Sequence, residues 1–595
     1  MSQLPTELPT PPELTSHAML VPWGMFAQQI GLVEALMQVP IPQKKREHAP
    51  QTKLLEFLVA ILNGCAYLQD ISRSAHPLDQ DQVVARAWEQ EKWADYSGVS
   101  RTMQACNGSS VTSVEKALET ISQPFIDREV VLALRDRDVL IYDGDLTGRP
   151  VSNTSTTYPD AAFGWMSDSV RLGYQAALVS MHSPTYGRVW LSVKHHPGDT
   201  VSVTQAEAMI RAAEARTGVH PRRRTELLTG QIVQNRTKLR VKEVKLARAQ
   251  ERLQEAQESL SQVEQECQVW TKQVEELAAD YQARNRPERP HSRLAQARRK
   301  LAVRERRRER RQQDLARVER WLERCQRNVI TFQMRLGTLE DRLDQCTRDN
   351  RANPSPVRAI FRLDGGFGSG FNIALLIEMG YDVYCKAKDH NIVQSRRKCV
   401  TSTTLWQRVG KNAEMVAWQG QEIANCPYPL DVALERFHTG NQVRHSVLLH
   451  YGEDPVTGDL AAWFSFYNGR QTIEAGIKEG KNVFQMHHLK VRSPAGLALQ
   501  EMFAAFAANF VRWAAAWLHE SCPDAPAPFN CSQPSIKKLV RVAANTSAWV
   551  FWQPQGCLVR FTELSVFSGI ELKIPKSGFI QLPLPLFKSC VFSPI

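Results

Sequence analysis

The sequence contains neither paired cysteines nor a long uninterrupted hydrophobic run. Its 12 cysteines are scattered without a C-x-x-C pair, so neither a disulfide framework nor a structural zinc site is indicated. The longest apolar stretch, residues 495–518, is interrupted by polar residues, and its aromatic residues recur every three or four positions. This spacing predicts a helix buried on one face rather than a membrane span.

The N-terminus also lacks the basic and apolar segments of a signal peptide. Residues 1–15 contain four prolines and predict a disordered lead to the folded chain. Because no disulfide framework, signal peptide or membrane span is expected, the predicted compartment is the cytoplasm.

Positive charge exceeds negative charge by 12, from 74 basic and 62 acidic side chains. This excess predicts a polyanionic partner, although charge alone does not distinguish nucleic acid from an acidic membrane surface. The chain has 595 residues, of which 43% are hydrophobic, and is therefore long enough for three or four domains with cores of their own.

Sequence patterns divide the chain into successive regions. Residues 16–130 have a helical pattern that fits either a DNA-binding domain or a plain helical bundle. Residues 135–222 contain three strand patterns, at 138–146, 173–182 and 187–196, which predict an antiparallel meander that opens an α/β or α+β domain. The later regions are 355–400 (strand, glycine-rich turn, helix, strand), 400–460 (a small β-rich insertion), 461–520 (helices) and 535–595 (β-rich).

Residues 225–350 contain two sets of seven-residue apolar repeats, separated by two prolines within 284–291. The pattern predicts an antiparallel coiled-coil hairpin that folds by itself and projects from the surrounding domain. Residues 296–313 carry nine basic and two acidic side chains, and the positive charge enters the apolar seam. A charged coiled-coil surface is often only solvated, but charge in the seam favours phosphate contacts. The candidates for these contacts are Arg304, Arg307, Arg308 and Arg311.

The stretch "YNGRQTIEAGIKEGK", residues 467–481, combines aromatic, basic and acidic side chains. On a helix, Arg470, Glu474 and Lys481 fall within about 40° of one another. Asn468 is the predicted N-cap, which places Tyr467 just before the helix. Such a stripe is often a solvated salt-bridge face, so it indicates a site only together with other residues.

Further carboxylates lie at the ends of apolar elements. Asp143 and Asp145 are two residues apart on a predicted strand and so point to the same side of the sheet, while Asp364 ends the strand "AIFRL". Together with Glu474, and without histidine or cysteine ligands, these carboxylates suit a hard cation such as Mg²⁺. Two such ions can activate a water molecule and stabilise the leaving oxygen in phosphodiester cleavage.

These motifs resemble those of bacterial insertion-sequence DDE transposases, in the group with a Tyr-x2-Arg-x3-Glu-x6-Lys signature. Tyr467, Arg470, Glu474 and Lys481 match the signature at every spacing. "FRLDGGFGSG" resembles the motif around the second catalytic aspartate, Asp364. "LIYDGDLTG" resembles the strand of the first, where Asp143 and Asp145 remain alternatives.

The resemblance implies an α/β (α+β) RNase H-like catalytic core, with a helical N-terminal domain, the inserted coiled-coil hairpin and the small β-rich insertion. Asp143 or Asp145, Asp364 and Glu474 would bind two Mg²⁺ ions, for which Mn²⁺ can substitute. Arg470 and Lys481 would hold phosphates, and Tyr467 would contact the distorted DNA strand.

The implied activity is cleavage at the ends of an insertion sequence and strand transfer into target DNA, through a DNA hairpin intermediate. The implied partners are double-stranded DNA, as terminal inverted repeats and as target, and a second copy of the chain in a paired-end complex. The implied location is the bacterial cytoplasm, at the nucleoid.

Two other functions remain open. The segment "LDGGFGSGFNIALLIEMGYDVY" also fits the nucleotide-binding turn of a Rossmann-like methyltransferase or dehydrogenase, although the next strand ends in lysines instead of an acidic residue. The second alternative is a non-catalytic coiled-coil DNA-binding protein.

Overall fold

The computed structural model describes residues 11–166, 168–440, 442–529 and 535–576. The chain has a mixed α/β architecture and divides into two compact units. One unit comprises Met1–Arg222 with Asn353–Ile595, and the other comprises Arg223–Ala352.

The N-terminal region is helical, as predicted, but it begins with a strand. Glu13–Thr15 (β1) pairs with a strand near the C-terminus, so the prediction of a disordered lead is wrong for these three residues, while residues 1–10 lie outside the described part. The helices that follow are α1 (Leu20–Gln29), α2 (Leu32–Met37), α3 (Pro50–Leu62), α4 (Asp70–Arg73), α5 (Gln82–Ala87), α6 (Tyr96–Ala105) and α7 (Gly108–Arg137).

The predicted meander is present and contains one more strand than the sequence indicated. Its elements are β2 (Leu140–Pro150), β3 (Ala162–Met166), β4 (Ser169–Ser183), β5 (Gly187–Pro197) and the helix α8 (Ala206–Thr217). Strand β4 pairs antiparallel with β2, β3 and β5. The strand not expected, β3, has glycine at its centre, which weakens a strand pattern in the sequence.

The second unit consists of two long helices, α9 (Thr225–Ala283) and α10 (Arg293–Ala352). Heptad positions such as Ala249, Val263 and Val329 are buried between them, as the seven-residue repeats predict. A 2.6 Å ion pair joins Arg236, near the start of α9, to Glu340, near the end of α10, so the helices run antiparallel.

The chain then returns to the first unit. Its next elements are β6 (Ala359–Leu363), α11 (Gly370–Glu378), β7 (Asp382–Lys386), α12 (His390–Lys398), β8 (Gln407–Arg408), β9 (Ala413–Ile423), β10 (Cys426–Thr439) and β11 (Gln442–Tyr451). Residues 400–460 are β-rich, as predicted, but they do not form a separate sheet. Because β11 pairs antiparallel with β7, this segment extends the central sheet.

In the described part of the chain, the central sheet has ten strands in the order β3-β4-β2-β6-β7-β11-β10-β9-β8, with β5 also paired to β4. Strand β6 is parallel to both of its neighbours, β2 and β7. The order β5-β4-β2-β6-β7 therefore joins an antiparallel meander to a parallel β6-α11-β7 unit. This junction brings β2 and β6 side by side, although about 210 residues separate them in the sequence.

The next helices cover the sheet. They are α13 (Leu460–Asn468), α14 (Gln471–Asn482) and α15 (Pro494–Ser521). Helix α15 is the predicted aromatic helix, and the ring of Trp513 stacks on Phe125 of α7 with their centroids 4.4 Å apart. Among the described residues, no helix combines the length and the apolar character that a membrane crossing requires.

The last elements are α16 (Ile536–Arg541), β12 (Ala548–Gln553), β13 (Gly556–Phe561) and β14 (Glu571–Pro575). The three strands form a small sheet with β1, in agreement with the predicted β-rich region. Residues 577–595 of that region lie outside the described part.

Candidate active site

The candidate aspartates lie on β2, and directly after its parallel neighbour β6, at the centre of the sheet. Asp143 of β2 is opposite Arg362 of β6, and the pairing of the two strands ends one position further on. Asp145 and Asp364 directly follow the last paired residues, Gly144 and Leu363. The two aspartates therefore lie side by side at the same end of the two strands. The strands thus bring together carboxylates that are more than 200 residues apart in the sequence.

Close packing behind β2 keeps this strand in place. Gly144 points to the face opposite the two aspartates. A Cβ atom at Gly144 would lie 2.9 Å from both Leu363 Cδ2 and Met209 Cε. A side chain at this position would therefore require the ends of the Leu363 and Met209 side chains to shift.

The signature stretch folds as two helices rather than as one. Asn468 is the last residue of α13, and the N-cap of α14 is Arg470, so the predicted N-cap at Asn468 is wrong. Tyr467 accordingly lies in the last turn of α13 and not before a helix. A Cβ at Gly469 would lie 2.6 Å from Arg362 Nη1, so the glycine between the two helices lets them approach the sheet closely.

Tyr467 lies in the protein core. Its side chain packs with Trp463 and Tyr384, and its hydroxyl donates a 3.2 Å hydrogen bond to the Leu363 carbonyl. Burial raises the pKa of Tyr467 well above its ordinary value. In this position Tyr467 supports the strand end that precedes Asp364, and direct contact with DNA would require the ring to leave the core.

Arg470 lies among three carboxylates. Its Nη1 donates a 2.9 Å hydrogen bond to Glu474 Oε1, while Nη2 is 3.6 Å from Asp145 Oδ2 and 3.9 Å from Asp364 Oδ2. The Arg470 side chain is only 7% exposed, compared with 38% for Asp364 and 49% for Glu474. One guanidinium therefore connects the three carboxylates of the site.

The negative charge in the site is crowded. Burial, together with the charges of Asp364 and Glu474, raises the pKa of Asp145 to about 6 against the lowering effect of Arg470. Burial and these two charges make the ionised form of Asp145 less favourable. A cation bound among the carboxylates would relieve this repulsion.

Asp143 has a different environment from Asp145. It is 2% exposed, and both of its oxygens accept hydrogen bonds from Arg362, at 2.7 Å from Nε and 2.8 Å from Nη2. Such a two-point contact satisfies both groups in the interior. Asp143 is therefore paired within the core, and Asp145 is the aspartate that faces Asp364 and Glu474 through Arg470.

Lys481 lies at the opposite end of α14. Its Nζ donates a 3.2 Å hydrogen bond to the carbonyl of Gly148, which follows Asp145 on β2. Burial lowers the pKa of Lys481, although the charge of Asp145 opposes the change. The lysine thus lies beside the strand that carries Asp145.

A buried ion pair holds the segment that follows Lys481. Arg149, at the end of β2, donates a 3.1 Å hydrogen bond to the Met486 carbonyl and pairs with Glu501 of α15. His195 Nδ1 lies 3.0 Å from the same Glu501 oxygen. Arg149 and Glu501 are both almost fully buried, so the pair connects β2, the segment after α14 and helix α15.

Asp145, Asp364 and Glu474 are the side chains that would bind the predicted Mg²⁺. Among the described residues, no group of three or more histidine, cysteine, aspartate or glutamate side chains is close enough to hold a metal ion in its present position. The donor set nevertheless fits, because Asp145, Asp364 and Glu474 supply only hard carboxylate oxygens. The guanidinium of Arg470 lies where these carboxylates converge.

The four candidate arginines of the hairpin lie along one stretch of α10, and three of them, Arg304, Arg308 and Arg311, are half-buried. Arg304 stacks over the Trp270 ring, with its Cζ 4.8 Å from the centroid, and pairs with Glu266. Arg307 is more exposed, and Arg311 is 4.0 Å from Asp314. Nε of Arg308 has no hydrogen-bond partner among the described residues. Acidic neighbours therefore balance only part of this positive charge.

The glycine-rich turn, which also suggested a nucleotide-binding fold, is filled by protein. A Cβ at Gly368 would lie 1.9 Å from the Lys386 carbonyl oxygen, and one at Gly370 would lie 2.1 Å from the Ala424 carbonyl oxygen. These glycines thus allow neighbouring backbone to approach. Lys386, at the end of β7, occupies the position where a ribose-binding fold has an acidic residue.

Sequence reasoning missed Arg362, Arg149 and Glu501. Arg362 could have been noticed as a charged residue inside the apolar strand "AIFRL", and Glu501 as an acid within an apolar helix. Buried charges of this kind require partners, but the sequence does not indicate which.

No protein-family model matches the chain, and no curated protein matches it. Function is therefore inferred from the residues and the geometry of the site.

Proposed function

We propose that this protein is a DDE transposase that cleaves DNA at the ends of an insertion sequence and joins these ends to target DNA. The observation that carries the proposal is the convergence of Asp145, Asp364 and Glu474 on Arg470. The three carboxylates come from two neighbouring strands and one signature helix, in the order that the resemblance to this family implies.

The architecture supports an RNase H-like core for this activity. The antiparallel strands β5, β4 and β2 continue into the parallel strands β6 and β7. Asp145 lies on β2, and Asp364 directly follows β6. The hairpin of α9 and α10 is an insertion between β5 and β6 in the sequence.

Asp145, Asp364 and Glu474 would hold Mg²⁺, with Mn²⁺ as a substitute. Two bound ions would activate the attacking water or 3′-hydroxyl and stabilise the leaving oxygen. We assign the first carboxylate to Asp145, because Arg362 occupies both oxygens of Asp143.

The cationic side chains would hold the DNA backbone. Lys481 donates a hydrogen bond to the Gly148 carbonyl, on the strand that carries Asp145, and Arg470 lies among the carboxylates. We expect both side chains to hold phosphates next to the cleaved bond. We assign Tyr467 a supporting role under Asp364 in place of the predicted strand contact. The arginines of the hairpin, with their partly balanced charge, would contact further DNA phosphates.

The proposed partners are terminal inverted repeats, target DNA and a second copy of the chain in the paired-end complex. The proposed pathway is cut-and-paste transposition with a DNA hairpin intermediate, in the bacterial cytoplasm at the nucleoid.

The test is cleavage of labelled duplex DNA that carries the ends of the element, with Mg²⁺ or Mn²⁺ present. Asp364→Asn and Glu474→Gln should abolish cleavage and leave binding of end DNA within a few fold, because these carboxylates hold ions and not DNA. Glu453→Gln is the matched control, since Glu453 is 79% exposed and lies outside the site.

Normal cleavage by either site variant would contradict the proposal. Tight binding of DNA by the parent protein without any cleavage would favour the alternative of a non-catalytic DNA-binding protein. Specific binding of a labelled nucleotide cofactor would favour the Rossmann-like alternative.

A further inference from the structure

Arg470 interacts with its three carboxylates unequally. Only the contact with Glu474, at 2.9 Å, is a hydrogen bond, whereas the distances of 3.6 and 3.9 Å to Asp145 and Asp364 correspond to ion pairs without one. Nε of Arg470 is buried and has no hydrogen-bond partner among the described residues. The guanidinium therefore neutralises the carboxylates without filling its own donor capacity.

The charges of the site do not balance. Three carboxylates and one guanidinium leave a net charge of about −2 when all of them are ionised, which one divalent cation would neutralise. When Arg470 turns to a DNA phosphate, its charge neutralises that phosphate, and the three carboxylates keep a charge of about −3. One divalent cation then no longer balances the site, and a second can bind, as the proposed reaction requires.

We propose that Arg470 is a built-in counter-ion of the metal site, and that a DNA phosphate draws it away so that DNA and divalent metal bind cooperatively. This inference rests on the proposed function and adds a regulatory step to it. In the absence of DNA, Arg470 holds the carboxylates together and competes with the metal. When DNA is bound, the same side chain contacts a phosphate and leaves the carboxylates to the ions.

The chemistry of arginine supports such an exchange. A guanidinium binds phosphate through two parallel hydrogen bonds, which is a better arrangement than one hydrogen bond and two longer ion pairs. Glu474 and Asp364 are 49% and 38% exposed, so the phosphate has access to the edge of the site. Because linkage is reciprocal, metal should also strengthen DNA binding by the factor by which DNA strengthens metal binding.

The advantage would be control over nuclease activity. A site that binds metal weakly without DNA does not hold an activated water in the wrong context. It becomes complete only when a phosphate backbone lies against it.

The experiment measures Mn²⁺ binding from the electron paramagnetic resonance signal of free Mn²⁺, with and without a duplex oligonucleotide. The parent protein should bind Mn²⁺ at least about tenfold more tightly with the duplex, a factor typical of coupled sites. Arg470→Gln should bind Mn²⁺ more tightly than the parent in the absence of DNA and should lose most of the DNA effect.

Arg560→Gln is the control for the loss of one positive charge, because Arg560 pairs with Glu571 in the small C-terminal sheet. It should behave like the parent protein. Arg470→Lys keeps the charge and should fall between the parent and the glutamine variant, which provides a second measurement if Arg470→Gln does not fold. Circular dichroism verifies folding, and Mn²⁺ should raise the melting temperature of Arg470→Gln more than that of the parent.

The outcomes distinguish this inference from the proposed function. If the parent cleaves DNA but binds Mn²⁺ equally well with and without the duplex, the counter-ion role is wrong and the transposase proposal stands. The same holds if removal of Arg470 weakens Mn²⁺ binding. If the parent binds no Mn²⁺ in either condition and does not cleave, both are wrong.

Discussion

The Arg362 guanidinium holds both oxygens of the Asp143 carboxylate, at 2.7 and 2.8 Å, in the interior of the central sheet. Two residues further along the same strand, Asp145 lies 3.6 Å from Arg470 and has no such two-point partner among the described residues. The two aspartates that the sequence could not distinguish therefore have different cationic partners. We expect Asp143 to contribute to stability and Asp145 to activity.

The first prediction concerns this pair. Asp143→Asn should lower the free energy of unfolding by about 3–5 kcal/mol, because it leaves the buried Arg362 without a counter-charge. Asp145→Asn should change stability little, or raise it, since it removes a crowded carboxylate, and it should abolish DNA cleavage. Urea unfolding and the cleavage assay measure the two effects.

The double variant Asp143→Asn with Arg362→Met is the control. It removes both charges and should recover part of the lost stability, as replacement of a whole buried ion pair often does. An Asp143→Asn protein that is stable but inactive would instead make Asp143 the catalytic residue.

The second prediction concerns the pH dependence of stability. Burial, together with the charges of Arg137 and Arg362, lowers the pKa of His182 to about 4. Arg137 Nη1 also donates a 2.9 Å hydrogen bond to the His182 Nδ1 atom, which protonation of that atom would remove. Between pH 6.5 and 4, the unfolded chain binds a proton at this position that the folded chain does not bind, so stability should fall as the pH falls through this window.

His182→Gln should make stability less dependent on pH between about 6.5 and 4, as measured by urea unfolding at a series of pH values. The exposed His76, changed to glutamine in the same way, is the matched control. Equal slopes for the parent and His182→Gln would show that His182 does not contribute to acid unfolding.

Local patterns in the sequence predicted the parts of the fold that depend on local packing. The heptads predicted α9 and α10 because the packing of two neighbouring helices repeats every seven residues. The strand ending at Asp364 was predicted because a buried parallel strand is a short apolar run. The helix of Glu474 was predicted with its start two residues too early, since Asn468 is a good N-cap in isolation but lies inside the last turn of α13.

Long-range pairings were not predictable from the sequence alone. Asp143 and Arg362 are 219 residues apart, and no local pattern connects them. Residues 400–460 were expected to form β structure. The pairing of β11 with β7 could not be predicted, because it depends on the position of β7 in the folded sheet. The helical spacing predicted that Arg470 lies near Glu474. It could not predict that Asp145 and Asp364 also lie near Arg470, because these contacts depend on tertiary structure.

The third prediction distinguishes a supporting role of Tyr467 from direct DNA contact. Tyr467→Phe keeps the buried ring and removes only the hydrogen bond to the Leu363 carbonyl. It should cost about 1 kcal/mol of stability and leave DNA cleavage within a few fold of the parent. A large decrease in cleavage with unchanged stability would indicate that the hydroxyl reaches the DNA.

The last prediction concerns the hairpin of α9 and α10. We expect the first unit to fold without it. His220, just before the hairpin, accepts hydrogen bonds at its carbonyl from Asn353 Nδ2 at 2.7 Å and from Val357 N at 3.3 Å. The two ends of the insertion are therefore adjacent within that unit, and a short Gly/Ser linker can close the gap between residues 222 and 353. The shortened protein should fold, bind Mn²⁺ and fail to assemble the complex that pairs two DNA ends.

A matched variant tests charge without removing the hairpin. Neutralising Arg304, Arg307, Arg308 and Arg311 to glutamine should reduce the slope of log affinity against log salt concentration by about 0.9 for each DNA phosphate that these side chains neutralise in the parent. The ion pairs of Arg304 with Glu266 and of Arg311 with Asp314 should reduce the contribution of these two positions. Neutralising four arginines closer to the base of α10 (Arg327, Arg335, Arg342 and Arg348) removes the same charge and should affect the slope less. If the hairpin-less protein pairs and cleaves DNA ends as well as the parent, the hairpin has no part in assembly.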